Sequence, residues 1–306
     1  MMRIGVDLGG SKIEILALDH NGKDCWSQRI TTPQGDYQAT LTAITELVHD
    51  AESQLGQTAT VGICIPGTLS TDTGLIKNAN STCLIGQKLD SDLERSLQRP
   101  IRLANDADCF ALSEAYDGAA KGACSVFGVI LGTGVGGGIV IHNRLLSGPN
   151  GIAGEWGHNP LPWSDPAQDQ DFPCYCGKSG CIETYLSGPG FSRQHALLTQ
   201  QPPIRVEQIM QQLDAAAPYS RQAFEQYCDR LARSLASVIN LLDPEVIVLG
   251  GGLSNIRALY TEIPVRWGSY VFSDRVNTQL KPALHGDASG VRGAAWLWNE
   301  TLNRNT

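Results

Sequence analysis

The chain opens on strict alternation: Ile4, Val6 and Leu8 take every second position from Arg3 to Leu8, and the run ends in Gly9-Gly10. Ile13 to Asp19 is apolar and β-branched, Asn21-Gly22 is a strong hairpin turn, and Cys25 to Thr32 follows. A three-stranded meander is expected. From Asp36 to Leu55 the period changes, with Leu41, Ile44, Leu47, Val48 and Ala51 repeating at helical spacing before Gly56, which predicts a helix. A buried strand over Thr60 to Ile65 ends at Pro66-Gly67. A short helix over Asp90 to Leu97, a short strand over Ile101 to Ala104 and a helix from Ala107 to Gly118 complete this half. Strands and helices alternate, so the fold class is α/β.

At Ser125 the pattern restarts. Val126 to Leu131 and Ile139 to His142 read as strands around a glycine-rich turn. The first half contains VDLGGSKIEILAL and the second VILGTGVGGGIVIHN. Two glycine-interrupted hairpins suggest two related domains facing one cleft; chance likeness of two common turns is the plainer alternative. Phe224 to Leu242 is an amphipathic helix stopped by Asp243-Pro244, Glu245 to Leu249 a buried strand entering Gly250-Gly251-Gly252, and Gly290 to Asn299 a last helix. The expected domains are residues 1–117, joined by a returning C-terminal helix near 290–306, and residues 118–289.

Charge removes several function classes. With 306 residues, 42% hydrophobic and 18% charged, the chain has the balance of a packed globular protein. A net charge of −8 gives no basic field for nucleic acid or anionic membranes, so an anionic ligand must be held locally by amides, a few cations and a metal ion. The N-terminus shows no charged leader with a cleavage site, and no run of about 18 apolar residues occurs. Nine cysteines, six of them scattered singly, fit buried thiols in a reducing cytoplasm.

Five segments carry chemistry. Asp7-Leu8-Gly9-Gly10-Ser11-Lys12 puts a carboxylate, two glycines, a hydroxyl and an ammonium on one strand-turn-strand. Its amides could approach phosphate, with Asp7 holding Mg²⁺ through water and Lys12 offsetting charge; an ordinary tight turn is the competing reading. The segment is no Walker loop, because no Gly-Lys-Ser/Thr opens a helix. Five glycines between Leu131 and Gly138, around Thr133, exceed what a stable hairpin would choose, so backbone contact with a ligand is expected. The dinucleotide fingerprint fails there, since a strand and not a helix follows. Gly250-Gly251-Gly252 suits close packing of a nucleoside or a plain strand-to-helix turn.

Asn105 and Asp106 leave the carboxyl end of a strand, where ligands of α/β sheets commonly sit. Asp106 suits the base that accepts a proton in phosphoryl transfer; either residue could instead be a helix N-cap. His158 with Cys174, Cys176 and Cys181 supplies one imidazole and three thiolates, a closed tetrahedral zinc shell that is structural, with no open position for water. A disulfide competes, with one thiol left over. Glu155, three residues before His158, and Glu183, two after Cys181, would be fixed with the metal and could accept from vicinal sugar hydroxyls, to which the second nitrogen of His158 could donate.

In order, DLGGSK at 7–12, GICIPG at 62–67, LANDAD at 103–108, LGTGVGGG at 131–138, GEWGH at 154–158, CYCGKSGCIE at 174–183 and DPEVIVLGGGLS at 243–254 resemble the ROK family of sugar kinases across essentially the whole chain. The resemblance implies a two-domain ribonuclease-H-like fold of the actin and hexokinase superfamily, with a cleft between domains. It implies sugar contacts at Gly67, Asn80, Asn105, Asp106, Glu155, His158 and Glu183. Phosphate and nucleoside contacts would come from Asp7, Gly9, Gly10, Ser11, Lys12, Gly132, Thr133, Gly134, Gly136, Gly251 and Gly252. ATP, Mg²⁺ and structural Zn²⁺ are the implied cofactors and a homodimer the implied assembly. Ser11 stands where Thr is commoner and Asp108 where Asn is usual. KNANSTCLIG at 77–86 and GEWGHNPLPW at 154–163 look most like bacterial fructokinases with mannokinase activity, so phosphorylation of fructose at its C6 hydroxyl is expected. The alternatives are an N-acetylglucosamine or N-acetylmannosamine kinase, whose family members usually carry Phe in place of Trp156, and a non-catalytic sugar-binding or regulatory protein. Regulators of the family carry an added helix-turn-helix before the phosphate strand, for which the start at Arg3 leaves no room.

Overall fold

The computed structural model describes residues 1–77 and 82–298. They form two compact units: Met1–Gly122, Gly138–Ala153 and the segment from Leu284 make the first, and Ala123–Gly137 with Gly154–Ala283 the second. Where one cut after residue 117 was expected, residues 138–153 join the first unit.

The first unit opens with β1 (Arg3–Leu8), β2 (Lys12–Leu18) and β3 (Asp24–Thr31), then α1 (Tyr37–Leu55), β4 (Thr60–Ile65), the small pair β5 (Thr68–Leu69) and β6 (Ile76–Lys77), α2 (Leu89–Leu97), β7 (Ile101–Asn105) and α3 (Asp106–Tyr116). Its sheet runs β3-β2-β1-β4-β7. The β1–β2 and β2–β3 pairs are antiparallel, and β4 and β7 add in parallel. Asp36 caps α1, accepting from the Ala39 amide at 2.9 Å, and Gly56 ends it at φ 66°.

Alternation along β1 sorts the two faces of this sheet. Ile4, Val6 and Leu8, with Ile13, Ile15, Val61 and Ile63, pack against Leu41, Ile44, Leu47 and Val48 of α1 and Leu89, Leu93 and Leu97 of α2. Gly5 and Asp7 face the other way, toward the helix over Ser289–Trp296. The register sets Asp7 beside Cys64 and Ile65 beside Asn105. Parallel pairing thus brings the carboxyl ends of β1, β4 and β7 to one edge.

The second glycine hairpin is β8 (Ser125–Leu131) and β9 (Val135–Ile141), followed by β10 (Arg144–Leu145). Then come α4 (Glu183–Leu186), α5 (Gly188–Thr199), α6 (Val206–Asp214), α7 (Pro218–Leu242), β11 (Val246–Gly250), α8 (Leu259–Arg266), β12 (Gln279–Pro282) and α9 (Ser289–Trp296). The sheet order β10-β9-β8-β11-β12 repeats that of the first sheet, strand for strand. The repeat inferred from two glycine-rich hairpins is therefore one of topology. The division between the units falls within β9.

Two polar networks fix loops that hydrophobic pattern leaves open. In the second unit Asp169, 1% exposed at its side chain, pairs with Arg230 at 2.7 Å and Arg233 at 3.0 Å, both on α7. Arg230 and Arg233 also donate to the carbonyls of Gln168, Pro162 and Trp163, so the loop ahead of Cys174 is held on α7. In the first unit the buried Glu114 accepts from the Leu284 and His285 amides and the Ser289 hydroxyl, while Arg292 donates to Asp117 at 2.7 and 2.9 Å. Trp296 stacks on Tyr116 with centroids 4.3 Å apart. These contacts seat α9 on α3.

Several boundaries differ from those the pattern predicts. The long helix starts at Pro218, six residues before Phe224, with the proline at its first turn. Strand β9 starts at Val135, inside the glycine run. The third glycine cluster continues as a 3₁₀ turn over Gly252–Asn255 and not as an α-helix at Ser254. No described helix is long and apolar enough to cross a membrane.

Candidate active site

The first unit carries the two candidate catalytic aspartates. Asp7 ends β1, and Asp106 opens α3 directly after β7. Asn105, and not Asp106, is the N-cap: its Oδ1 accepts from the Asp108 amide at 2.6 Å. That leaves the Asp106 carboxylate to accept from the adjacent Ala107 amide, at 2.9 Å, and from its own backbone amide. Burial lifts the Asp7 pKa to about 6, and repulsion from Asp106 adds to the rise. The Asp106 residue as a whole still presents surface to solvent, yet protein crowded around its carboxyl raises its pKa and outweighs the backbone hydrogen bonds that lower it. A carboxylate held above its ordinary range at the end of a sheet is suited to take up a proton.

Around Asp7 the first glycine hairpin is pinned. The Gly9 amide donates to the Lys12 carbonyl at 3.0 Å, Thr32 Oγ1 donates to the Gly9 carbonyl at 2.8 Å and Gln34 Nε2 to that of Gly10 at 2.6 Å. Gly10 and Ser11 are exposed. Lys12, expected to offset phosphate charge, lies 3.6 Å from Glu14 and already has a carboxylate partner. Gly67 and Asn105 both line a cavity of about 400 Å³ in this unit, with Thr68, Arg102 and Asp108 among the other walls. Asn80 lies outside the described residues.

The second unit gathers the remaining residues. His158 Nδ1, Cys174, Cys176 and Cys181 bring their donor atoms within 4.8 Å of one another, with Sγ–Sγ of Cys176 and Cys181 at 3.6 Å and Cys174 Sγ–His158 Nδ1 at 3.5 Å. Tetrahedral zinc with bonds of about 2.3 Å needs neighbouring sulfurs about 3.8 Å apart, so donor set and spacing both fit that ion. A disulfide does not form: all nine cysteines are free. The other ring nitrogen of His158, expected to reach a sugar hydroxyl, meets the hydroxyl of Tyr175 at 2.9 Å. Sequence reasoning passed over Tyr175; its one signal was an aromatic residue between two candidate metal-ligating cysteines.

The glycine runs of this unit converge. Gly132 and Gly252 have no atom within 4 Å of where a Cβ would stand, the open backbone a ligand requires. Gly251, at φ 79°, lies against the end of β8, where a Cβ would be 2.5 Å from the Leu131 carbonyl. Thr133 is exposed. Other glycines of the run serve packing: a Cβ on Gly134 would approach the Glu183 carboxylate to 2.7 Å, and one on Gly137 would meet the Gly154 carbonyl and Trp156 at that same distance. Close packing therefore accounts for Gly134 and Gly137, and Gly132 is left open. Glu183 Oε2 accepts from the Val135 amide at 2.9 Å, Trp156 Nε1 donates to the Gly136 carbonyl at 3.0 Å, and Glu155 is exposed.

The profile of the ROK family matches residues 3–301. The chain belongs to the ROK family. Curated relatives include N-acetyl-D-glucosamine kinases of Pectobacterium carotovorum, 41% identical over 303 residues, and of Yersinia pseudotuberculosis, 39% identical over 300 residues. Each alignment covers 97% of this chain and 98% of the relative. Among solved structures, the ROK hexokinase of Thermus thermophilus superposes with a TM-score of 0.86 at 29% identity, covering 97% of each chain. A ROK glucokinase of Streptomyces griseus, in complex with glucose and AMPPNP, superposes with 0.74 at 27% identity, covering 97% of this chain and 99% of that one. The fold is accordingly the hexokinase-like one of this family, with a mixed α/β sheet in each half.

Proposed function

We propose that this chain, a ROK sugar kinase, transfers the γ-phosphoryl group of ATP to the C6 hydroxyl of a hexose, with Asp106 as the base. The observation that carries the assignment of the base is the Asp106 carboxyl itself, at the carboxyl end of the sheet with its pKa raised. In the reaction the C6 oxygen bonds to the γ-phosphorus, the bond to the bridging β,γ-oxygen breaks, and Asp106 takes the hydroxyl proton. Mg²⁺ arriving with the nucleotide would neutralise phosphate charge, and Asp7 is the carboxylate suited to face it. The hairpin amides near Gly9 to Lys12 and Gly132 to Gly136, with Gly251 and Gly252 toward the nucleoside, would orient ATP. Gly67, Asn80, Asn105, Glu155, His158 and Glu183 would receive the sugar. A zinc ion held by His158, Cys174, Cys176 and Cys181 would brace the segment between Glu155 and Glu183, and it leaves no position for substrate.

N-acetylglucosamine is the acceptor that the names of relatives 39 to 41% identical support. This reverses the order expected from the motifs. Fructose, with mannose or glucose, is the second reading, favoured by Trp156 where N-acetylglucosamine kinases of the family usually carry Phe. The Trp156 indole donates a hydrogen bond that Phe could not make. Pocket contacts distinguish such sugars by only about 1 to 3 kcal/mol, so direct comparison is required. The test is ADP release from MgATP with N-acetylglucosamine, N-acetylmannosamine, fructose, mannose and glucose, ranked by kcat/KM against an Asp106→Asn control. An N-acetylated winner supports the first reading and a fructose winner the second. Absence of Asp106-dependent turnover on every sugar would leave a binding or regulatory protein.

A further inference from the structure

Two hydrogen bonds inside the second unit join the residues read as hexose ligands to the hairpin read as the phosphate cradle. The Val135 amide, at the start of β9, donates to Glu183 Oε2 at 2.9 Å; the Trp156 indole donates to the Gly136 carbonyl at 3.0 Å. The backbones approach closely around both. A Cβ on Gly134 would stand 2.7 Å from Glu183 Oε2, and one on Gly157 would stand 2.3 Å from the Val135 carbonyl. Trp156 is 5% exposed and meets Phe127 of β8 edge-on, with centroids 5.6 Å apart. The indole thus has little freedom to move without moving β8 and β9.

A carboxylate accepting from a backbone amide makes a charge-assisted bond, stronger than a neutral pair. Glu183 makes that bond to one residue of the hairpin while it opens α4, two residues after Cys181. When a hexose hydroxyl donates to the same carboxylate, it fixes the acceptor that aims the Val135 N–H. Trp156, between Glu155 and His158, does the same for Gly136 through a buried indole. We propose that Glu183 and Trp156 couple hexose occupancy to the nucleotide hairpin, Glu183 as a shared acceptor and Trp156 as a positioning residue. The inference rests on the hexose-kinase reading. Coupling of binding is reciprocal, so a change in either segment must be felt by the ligand of the other.

Calorimetry on the full zinc-replete chain tests this with one ligand at a time: N-acetylglucosamine and fructose without nucleotide, then MgADP without sugar. Gly134→Ala, in the hairpin, pushes its Cβ onto Glu183 and should weaken hexose binding about fivefold or more with no nucleotide present. Trp156→Phe keeps an aromatic ring but removes the pyrrole half with its N–H; it should weaken MgADP about three- to tenfold with no sugar present. Glu183→Gln, read with MgADP alone, should act in the same direction and covers the case in which Gly134→Ala fails to fold. The coupling is overturned if each folded variant, checked by its melting curve, alters only the ligand of its own segment. Wild-type protein that binds neither sugar nor MgADP would instead sink the hexose-kinase reading itself, which makes the two failures distinguishable.

Discussion

Asp7, near the end of β1, is raised to a pKa of about 6 chiefly by burial, and the Asp106 carboxylate at the start of α3 adds to the rise by repulsion. Both groups are raised, so both hold protons in the free protein at a pH where exposed carboxylates have lost them. Protonated Asp7 cannot face a cation and protonated Asp106 cannot act as a base. The kcat/KM for ATP should therefore fall as pH drops through about 6, by more than tenfold per unit where both groups titrate. A flat profile between pH 7 and 5 would contradict the assignment. Bound Mg²⁺ favours the ionised form, so kcat at saturating MgATP should hold to lower pH than kcat/KM.

The same shift has a consequence for stability. A folded-state pKa above the unfolded one favours the folded state fully below pH 3.8, and the advantage is lost as pH rises through about 6. At pH 7.5 the ionised Asp7 thus costs stability, roughly 2 to 3 kcal/mol for a shift of this size. Asp7→Asn should raise the melting temperature at pH 7.5, lose that gain toward pH 4, and abolish turnover throughout. An unchanged or lower melting temperature at pH 7.5 would show that Asp7 is not strained by its surroundings.

Asp106→Asn removes the proposed base and keeps the shape. Loss of a general base lowers kcat by about 10² to 10⁴, while the N-cap contributed by Asn105 is left in place. The hexose Kd, measured by calorimetry without nucleotide, should stay within about twofold of wild type. Retained kcat would mean that Asp106 is only a first-turn residue of α3.

What pattern could reveal depended on whether local chemistry decided the outcome. Alternation in β1, the Asn21-Gly22 turn and the helical stripe of α1 are local signals that tertiary packing did not override, and each element formed within a residue or two of expectation. The cluster of four candidate metal ligands was readable for a related reason, since three donors lie within eight residues and their types restrict the ion they would suit. Helices α5 and α6 and strand β12 were not anticipated: α6 carries a helical stripe at Val206, Ile209, Met210 and Leu213 that was overlooked, whereas β12 has one aliphatic residue, Leu280, and is placed by its pairing with β11. The second hydrogen bond of His158, taken by Tyr175, and the bond from Val135 to Glu183 join residues 17 and 48 apart. No periodicity encodes such pairs. Gly5 and Gly62 look like ordinary strand residues until α9 is laid across them.

Metal content gives an independent check on the second unit. Native mass spectrometry should find one zinc per chain, and the same spectrum reports whether the protein is a homodimer. Cys176→Ser removes an exposed ligand and leaves the buried Cys174 and Cys181 in place. It should lower zinc occupancy, reduce thermal stability and raise the hexose KM, because Glu155 and Glu183 are then held less firmly. Verified loss of zinc with unchanged hexose KM would separate the metal loop from sugar binding.

The closest packing in the first unit concerns α9. A Cβ on Gly293 would stand 1.7 Å from the Cys109 carbonyl, one on Gly62 would stand 2.0 Å from that of Ala294, and one on Gly290 would stand 3.1 Å from Asp7 Oδ2. The first two overlaps are with backbone, which cannot rotate away as a side chain could, so α9 must shift as a body. Gly293→Ala should cost at least about 1 to 3 kcal/mol, the usual penalty of overpacking, seen as a lower midpoint in urea. Gly290→Ala meets only the end of a side chain, so its cost should be smaller, yet its methyl presses on Asp7. It should raise the KM for MgATP at near-normal stability. If Gly290→Ala lowers stability as much as Gly293→Ala while leaving the KM for MgATP untouched, α9 supports the fold without helping to place Asp7.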